Sequence, residues 1–329
     1  MGAGSWGTTF GQVLCDAGTP AVGCCRRPEL AWVINETHEN PDHLPGITLT
    51  TELLAEADPV AALDHADLVI FAVPAQSLRE NLRHWAPFIP AGARFVSLIK
   101  GIELDTCKRM TEVITDVLNV PPARIGAVSG PNLAREIAQR QYAATVVACS
   151  DERAAVSLQQ ACHTPYFRPY TNTDVVGCEL GGAVKNVIAL AVGIAVAMDL
   201  GDNTRAMLIT RGLAEIARLG AALGASPQTF AGLAGLGDLV ATCASALSRN
   251  RTFGENVGRG MSVARASSMS GQVAEGVKSS ESVLALARKH GVEMPITEVV
   301  AAVMHDGLPV GEAAIMLASR SAKPEWYGS

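Results

Sequence analysis

Along the first half of the chain, short runs of Val, Ile, Phe and Ala alternate with stretches of helical spacing. The runs predict strands at Ala21 to Cys25, Ile47 to Thr51, Asp67 to Val73, Arg94 to Ile99, Ile125 to Ser129, Thr145 to Ala148 and Phe167 to Tyr170. Strand and helix in alternation give an α/β fold, a parallel sheet covered on both faces. After about Asn172 the texture changes. Asp174 is placed to cap a long helix, and the remainder of the chain is rich in Ala, Leu and Gly with few β-branched runs, the pattern of an all-helical second domain. The division expected is 1–172 and 173–329, with a ligand cleft between the two parts.

Composition narrows the picture. The 329 residues are 48% hydrophobic and 18% charged, enough to bury a large core, with a net charge of -6. That balance argues against a nucleic-acid partner, which needs a broad basic surface. The eight cysteines show no CxxC spacing, so neither a disulfide framework nor a zinc site is implied. With no HExxH, GxSxG or GxxxxGK[ST], and no ligand spacing among the seven histidines, metal and serine-nucleophile chemistry are not expected. No basic segment followed by an apolar run opens the chain, so a reducing, cytoplasmic setting is expected. The apolar stretch Val187 to Met198 falls short of the roughly 20 residues a bilayer span requires, and a buried helix is expected there.

Gly2-Ala3-Gly4-Ser5-Trp6-Gly7 fits GxGxxG, a turn whose glycines admit a dinucleotide pyrophosphate to the N-terminus of the next helix. Further on, where an NAD-specific turn carries an acidic residue for the ribose, Arg26 and Arg27 stand instead. Paired guanidinium groups suit a 2'-phosphate, which predicts NADPH in preference to NADH; a solvated basic turn is the alternative. Met1 directly precedes Gly2 and leaves no room for the first strand of such a fold. A strand of about five to eight residues is therefore expected to be missing at this start.

Gly177, Gly181 and Lys185 lie at i, i+4 and i+8, on one face of a helix. The small residues let another element approach, and Lys185 then stands dried at the contact, its pKa lowered toward a value useful for proton transfer. A lysine snorkelling from a core helix is the plainer alternative. Three further clusters carry chemistry. Ser97 to Gly101 ends a strand with the cation Lys100, and Ser129 to Ala134 is a strand-end turn that includes Gly130 and Asn132. Gly235 to Thr242 brings Asp238 near Ser248, Arg249, Asn250 and Arg251, a set ready for a phosphate.

Taken in order, GAGSWGT, VPAQ, IKGIE, SGPNLAREIA, LGGAVKNVIA, TRGLAEIARLGAALGA, AGLGDLVATC, LSRNRTFG and GVEMPITE resemble the bacterial type of NAD(P)-dependent glycerol-3-phosphate dehydrogenase along nearly the whole chain. The resemblance implies an N-terminal Rossmann doubly wound sheet and a helical domain like that of 6-phosphogluconate dehydrogenase, usually in a homodimer. It implies reduction of dihydroxyacetone phosphate to sn-glycerol 3-phosphate for glycerophospholipid synthesis, with Lys185 moving the proton. Substrate contacts carry over onto Lys100, Gly130, Asn132, Lys185, Asp238, Ser248, Arg249 and Asn250. Cofactor contacts carry over onto Ser5, Trp6, Arg26, Arg27, Lys100, Ala134, Arg249, Val273 and Glu275, beside Gly2, Gly4 and Gly7 of the turn. Asn132 departs from the Ser or Thr often found there in bacterial members.

On this reading Asp238, Asn186 and Thr242 orient Lys185, Lys100 adds positive field, and Arg249 with Asn250 anchors the phosphate. Two other readings remain open. A β-hydroxyacid dehydrogenase or ketopantoate reductase would share the architecture and bind a carboxylate, and a catalytically silent dinucleotide sensor would keep only the turn.

Overall fold

The computed structural model describes residues 1–269, 274–321 and 324–325. Its first half is a twisted sheet with helices on both faces. β3 (Leu68–Phe71), β4 (Arg94–Ser97), β5 (Ile125–Ser129), β6 (Ala143–Cys149) and β7 (Phe167–Asn172) form one five-stranded sheet in that order. β1 (Val22–Cys24) pairs in parallel with β2 (Leu54–Glu56) in a separate two-stranded piece. Met1 and Gly2 run between the two pieces. The Met1 amino group donates to the Ile70 carbonyl at 2.6 Å, Ala72 N–H to the Met1 carbonyl at 2.9 Å, and Gly2 N–H to the Cys24 carbonyl at 3.1 Å. Thus the residues before the first helix stand where a Rossmann sheet has its central strand, and the neighbouring ladders keep some of their partners.

Two sequence expectations change here. Ile47 to Thr51 is not a strand: Ile47 and Leu49 are buried as a loop, with only an isolated bridge from Thr48 to Glu39. The strand lies later, at Leu54–Glu56, too short for its alternation to stand out. The sheet is also not wholly parallel, because β6 runs antiparallel to β5. The connecting residues hold only the five-residue helix Ala134–Ala138. At 1.5 Å per residue that helix is too short to carry the chain back along a strand, so the chain re-enters the sheet at the end it left.

One face of the sheet packs Phe71 between Trp85 and Phe95, with ring centroids 6.1 Å apart in each stacked pair. The other packs Trp6, Phe10 and Phe167 edge to face around Val96, Val128 and Val147. Both faces are therefore sealed, as the alternating apolar runs require.

The second half is helical, built around Val175–Ala197. Asp174 caps this helix by accepting from Gly177 N–H at 2.8 Å. The apolar stretch continues on its N-terminal side past Lys185 and Glu179, so that the whole helix, at 23 residues, is long and apolar enough to cross a membrane by length and composition. What distinguishes it is burial. Of its most apolar window, 83% is buried, and helices Asp202–Ala222, Arg249–Gly258 and Glu275–Lys289 surround it. Glycines allow the contact: a Cβ at Gly193 would stand 2.1 Å from the Arg251 carbonyl, and one at Gly254 2.2 Å from that of Leu190.

Two buried glutamates tie helices together across space. Glu179, on the central helix, accepts from Thr111 N–H at 2.9 Å, Thr111 Oγ1 at 2.6 Å and Arg109 Nη1 at 2.7 Å, and so caps the sheet-side helix Met110–Leu118. Glu215, on Asp202–Ala222, does the same for Pro295–His305 through Ile296 N–H at 2.6 Å and the Thr297 amide and hydroxyl. Each satisfies N–H groups that a helix start leaves without partners.

Candidate active site

The central helix presents Lys185 toward the carboxyl ends of β4 and β5. It does so because Gly181 and Gly182 let two different neighbours come close: a Cβ at Gly181 would meet the Ala234 carbonyl at 2.2 Å, and one at Gly182 the Ser129 hydroxyl at 2.9 Å and Lys100 Cγ at 3.2 Å. The expected small-residue face is thus present, with a strand-end lysine on one side and the Leu233–Gly237 π-helical turn on the other.

That turn leads directly into helix Asp238–Ala244, and Asp238 is buried at its start. One carboxylate oxygen of Asp238 accepts from Lys185 Nζ in a short ion pair, and the other accepts from Lys100 Nζ at 2.8 Å. Lys185 also donates to Thr242 Oγ1 at 2.7 Å, and the Thr242 hydroxyl donates back to the Asp238 carbonyl at 2.7 Å. Two of the three ammonium donors of Lys185 are therefore engaged and its direction is fixed, with one left for a reactant. Burial lowers the Lys185 pKa from 10.5 to about 7; Asp238 opposes the shift and the nearby Lys100 ammonium adds to it.

Lys100 also donates to the Gly130 carbonyl at 2.9 Å, which fastens the Ser129 to Ala134 turn to the same carboxylate. Asn186, expected to help orient the lysine, lies differently. Its Oδ1 accepts from Asn250 Nδ2 at 2.9 Å, and its amide nitrogen reaches the Lys100 carbonyl at 3.4 Å. Asn250 in turn accepts from Gly276 N–H at 2.8 Å. This chain of amides locks the start of helix Arg249–Gly258 to the central helix and to Glu275–Lys289. Ser248 caps the first of these by accepting from Arg251 N–H at 3.3 Å. Arg249 is exposed, has no hydrogen bond among the described residues, and lies close enough to His43 and Glu275 for its charge to lower the pKa of both. Its charge thus reaches groups on both the sheet side and the helical side.

The glycine-rich turn is built for close approach. Gly2 has φ +106°, and a Cβ at Gly7 would lie 2.0 Å from the Gly2 carbonyl, whereas the space above Gly4 is open. Helix Ser5–Asp16 starts there with no side-chain cap, leaving its first N–H groups free to bind an anion. Glu275 Oε2 is buried without a hydrogen-bond partner among the described residues, an orphan that a ligand in this cleft would satisfy; Trp6 Nε1 is likewise unpartnered, its ring packed against Phe10 and Phe167. Burial holds the Glu275 carboxyl above the usual range, opposed by its contact with the Ala75 backbone and by Arg249. Arg26 and Arg27 are exposed after β1, and Arg27 is paired with Asp42. Ala134 starts its helix beside the turn, its carbonyl accepting from the Thr9 hydroxyl at 3.2 Å. The Ser5 hydroxyl donates to the His43 carbonyl at 3.0 Å. Val273 lies outside the described residues. These features fit a dinucleotide lying across the turn and reaching the Lys185 cluster.

Sequence reasoning missed the residues that act from a distance. Glu179 and Arg109, Thr145 beneath Asn132, and the Asn40 to His43 loop gave no local signal; Asn40 Nδ2 donates to the Ala3 carbonyl at 3.0 Å and so holds that loop on the turn.

Comparison with known proteins agrees with this geometry. Residues 1–155 match the family model for the N-terminus of NAD-dependent glycerol-3-phosphate dehydrogenase, and 174–315 match the model for its C-terminus. Glycerol-3-phosphate dehydrogenase [NAD(P)+] of Thermobifida fusca is 62% identical over 329 residues, covering 100% of this chain and 98% of that protein. The enzyme of Streptomyces griseus is 61% identical over 325 residues, 99% and 97% of the two chains. The crystal structure of glycerol-3-phosphate dehydrogenase from Coxiella burnetii superposes with a TM-score of 0.92 at 36% identity, covering 97% of each chain. A ketopantoate reductase from Ralstonia eutropha, at 17% identity and a TM-score of 0.58, shares the fold alone. The chain belongs to the NAD-dependent glycerol-3-phosphate dehydrogenase family.

Proposed function

We propose that this chain reduces dihydroxyacetone phosphate to sn-glycerol 3-phosphate with NADH or NADPH, Lys185 giving its proton to the oxygen formed at C2. The observation that carries the reading is the buried Lys185 ammonium, held by Asp238 and Thr242 and titrating near neutrality. A group whose pKa lies near the working pH is protonated often enough to donate and acidic enough to do so. The bound nicotinamide supplies the hydride.

The chain's own residues do the rest. Gly2, Gly4, Gly7 and the helix at Ser5 would hold the pyrophosphate, with Trp6, Ala134 and Glu275 along the cofactor's path. Arg26, and Arg27 once released from Asp42, would take a 2'-phosphate, which favours NADPH. Asp238 fixes two ammonium groups at one point, so the site keeps a net positive charge for an anionic substrate. Arg249, with Ser248 and Asn250 setting its helix start, grips the phosphate and aligns the ketone with Lys185. Lys100, Gly130 and Asn132 close the opposite side. We further propose the division at residue 172, a homodimer in the cytoplasm, and a role in glycerophospholipid supply.

The test is NADPH and NADH oxidation with dihydroxyacetone phosphate, run against ketopantoate and β-ketoacids. Turnover restricted to the phosphorylated ketone is expected. Preference for the carboxylates, or dinucleotide binding without turnover of any of them, would reject the assignment.

A further inference from the structure

Asn132 lies in the turn that Lys100 fastens to the catalytic carboxylate, and its amide is held in a particular way. Because β6 re-enters the sheet antiparallel to β5, Ser129 pairs with Val146, and Thr145 comes to lie beneath the turn. Gly130 makes room for it: with φ +142°, a Cβ there would stand 3.2 Å from Thr145 Cα and 3.3 Å from its hydroxyl. Thr145 is completely buried, and its hydroxyl donates to the Ser129 carbonyl at 3.0 Å. A hydroxyl has one proton, and a carbonyl can only accept. Toward Asn132, at 3.0 Å, Thr145 is therefore an acceptor, and Asn132 must turn its NH2 end to it. The other end, Oδ1, is buried and has no hydrogen-bond partner among the described residues. Flipping the amide would set two acceptors against each other unless Thr145 gave up its bond to the Ser129 carbonyl, so that buried bond favours this orientation.

The turn that carries this acceptor adjoins the lysine pair. Gly130 accepts from Lys100, and Pro131 Cδ lies 3.8 Å from where a Cβ of Gly237, the residue before Asp238, would stand. Of the polar groups on dihydroxyacetone phosphate, the ketone and the phosphate dianion only accept; the primary hydroxyl alone can donate. We propose that Thr145 is a positioning residue that fixes the Asn132 amide so that Oδ1 accepts a hydrogen bond from the free hydroxyl of the substrate. Resting on the function proposed above, this orients the substrate: hydroxyl to Asn132, phosphate to Arg249, ketone at Lys185. It also gives the site a means of rejecting ketone phosphates that lack the hydroxyl, since the buried oxygen would stay unpaired.

The experiment compares dihydroxyacetone phosphate with hydroxyacetone phosphate, which carries a methyl group in place of the hydroxymethyl group, in wild type, Thr145→Val and Thr145→Ser. Wild type is expected to prefer the hydroxylated substrate by roughly 100-fold or more in kcat/KM. T145V keeps the shape, frees the amide to rotate, and should cut that preference about tenfold, chiefly through KM for the substrate, with KM for NADPH unchanged. T145S should restore it. A merely structural threonine would lower turnover of both substrates alike and leave the ratio where it was, which would overturn the proposal. So would a rise in KM for NADPH at constant ratio, since Oδ1 would then serve the cofactor's carboxamide. If T145V does not fold, Thr145→Ala, which also removes the hydroxyl, read by the same ratio decides in the same way. Absence of any wild-type turnover with dihydroxyacetone phosphate would instead sink the function reading itself.

Discussion

Replacing Lys185 with Met keeps the length of the side chain and removes the ammonium, which separates what this residue costs the fold from what it gives the reaction. The folded chain brings the Lys185 pKa from 10.5 to about 7, chiefly by burial. At ~1.4 kcal/mol for each factor of ten, the charged form is disfavoured in the folded chain by on the order of 5 kcal/mol. Between pH 7 and 10.5 the unfolded chain holds the proton and the folded chain does not, so wild-type stability rises with pH across that window. Below pH 7 both states are protonated, and the burden is present in full. Asp238 remains paired with Lys100 in the variant, so no carboxylate is stranded. K185M should therefore be at least as stable as wild type at pH 6.5, and its advantage should shrink by a few kcal/mol by pH 9.5. Urea unfolding of both proteins at the two pH values measures this. In turnover, K185M should lose about two to four powers of ten in kcat. Wild-type ketone reduction should fall as pH rises through about 7, where the donor loses its proton, and alcohol oxidation should rise over the same range. A variant that is markedly less stable at pH 6.5, with a gap that does not move with pH, would refute the strained ammonium. A kcat loss below tenfold would end the role in proton transfer.

Arg249→Ala should lose about 2 to 4 kcal/mol in kcat/KM for dihydroxyacetone phosphate and little for dihydroxyacetone; equal losses would mean that the arginine does not read phosphate. Replacing Arg26 and Arg27 together with Ala should lower the NADPH to NADH ratio of kcat/KM by about tenfold or more, because two charge-assisted contacts to a 2'-phosphate are lost; an unchanged ratio rejects that assignment. Glu179→Ala strands the Thr111 amide and leaves Arg109 with Glu112 as its remaining acidic partner at the junction of sheet and helices, and should cost about 1 to 3 kcal/mol in urea unfolding; a cost under about 0.5 kcal/mol would show that the junction does not depend on it. Burial pushes the Glu215 pKa up to about 7 from 4.5, so the folded chain holds the extra proton between those values and stability falls as pH rises through them. Glu215→Gln should flatten that slope in denaturation at pH 5 and 7.5, and a slope equal to wild type would rule out the buried carboxyl as its source.

What was legible in the sequence was local. The glycine turn, the small-residue face ending at Lys185, the GLGD segment and the Ser248 to Asn250 cluster each declare themselves within a few residues, because backbone approach and helical spacing constrain neighbours along the chain. The general architecture followed from the change of pattern near Asn172. The direction of β6 was not legible, because it depends on how far a five-residue helix can carry the chain, and the apolar pattern of β6 is the same in either direction. Nor could Leu54–Glu56 be told from a loop while the more apolar Ile47 to Thr51 competed with it. Contacts far apart in sequence were invisible in kind: nothing around Glu179 or Glu215 announces that each caps a helix elsewhere, and nothing near Thr145 says that it will set the face of Asn132.

The pairing of Lys100 with Lys185 on one carboxylate shows why the site needs three charges where two would satisfy hydrogen bonding. Burial is the largest influence on Lys185, and its pairing with Asp238 works against that influence by favouring the charged form. The second ammonium competes for the same carboxylate from the other oxygen and adds its own repulsion, and together with burial it brings Lys185 down to about 7. Gly182 is what admits it, since any side chain there would meet Lys100 and Ser129. A missing Cβ three residues before the proton donor thus admits one contribution to its acidity, beside the larger one of burial. The positive charge left over by the trio is the one an anionic substrate, entering with its phosphate toward Arg249, would neutralise.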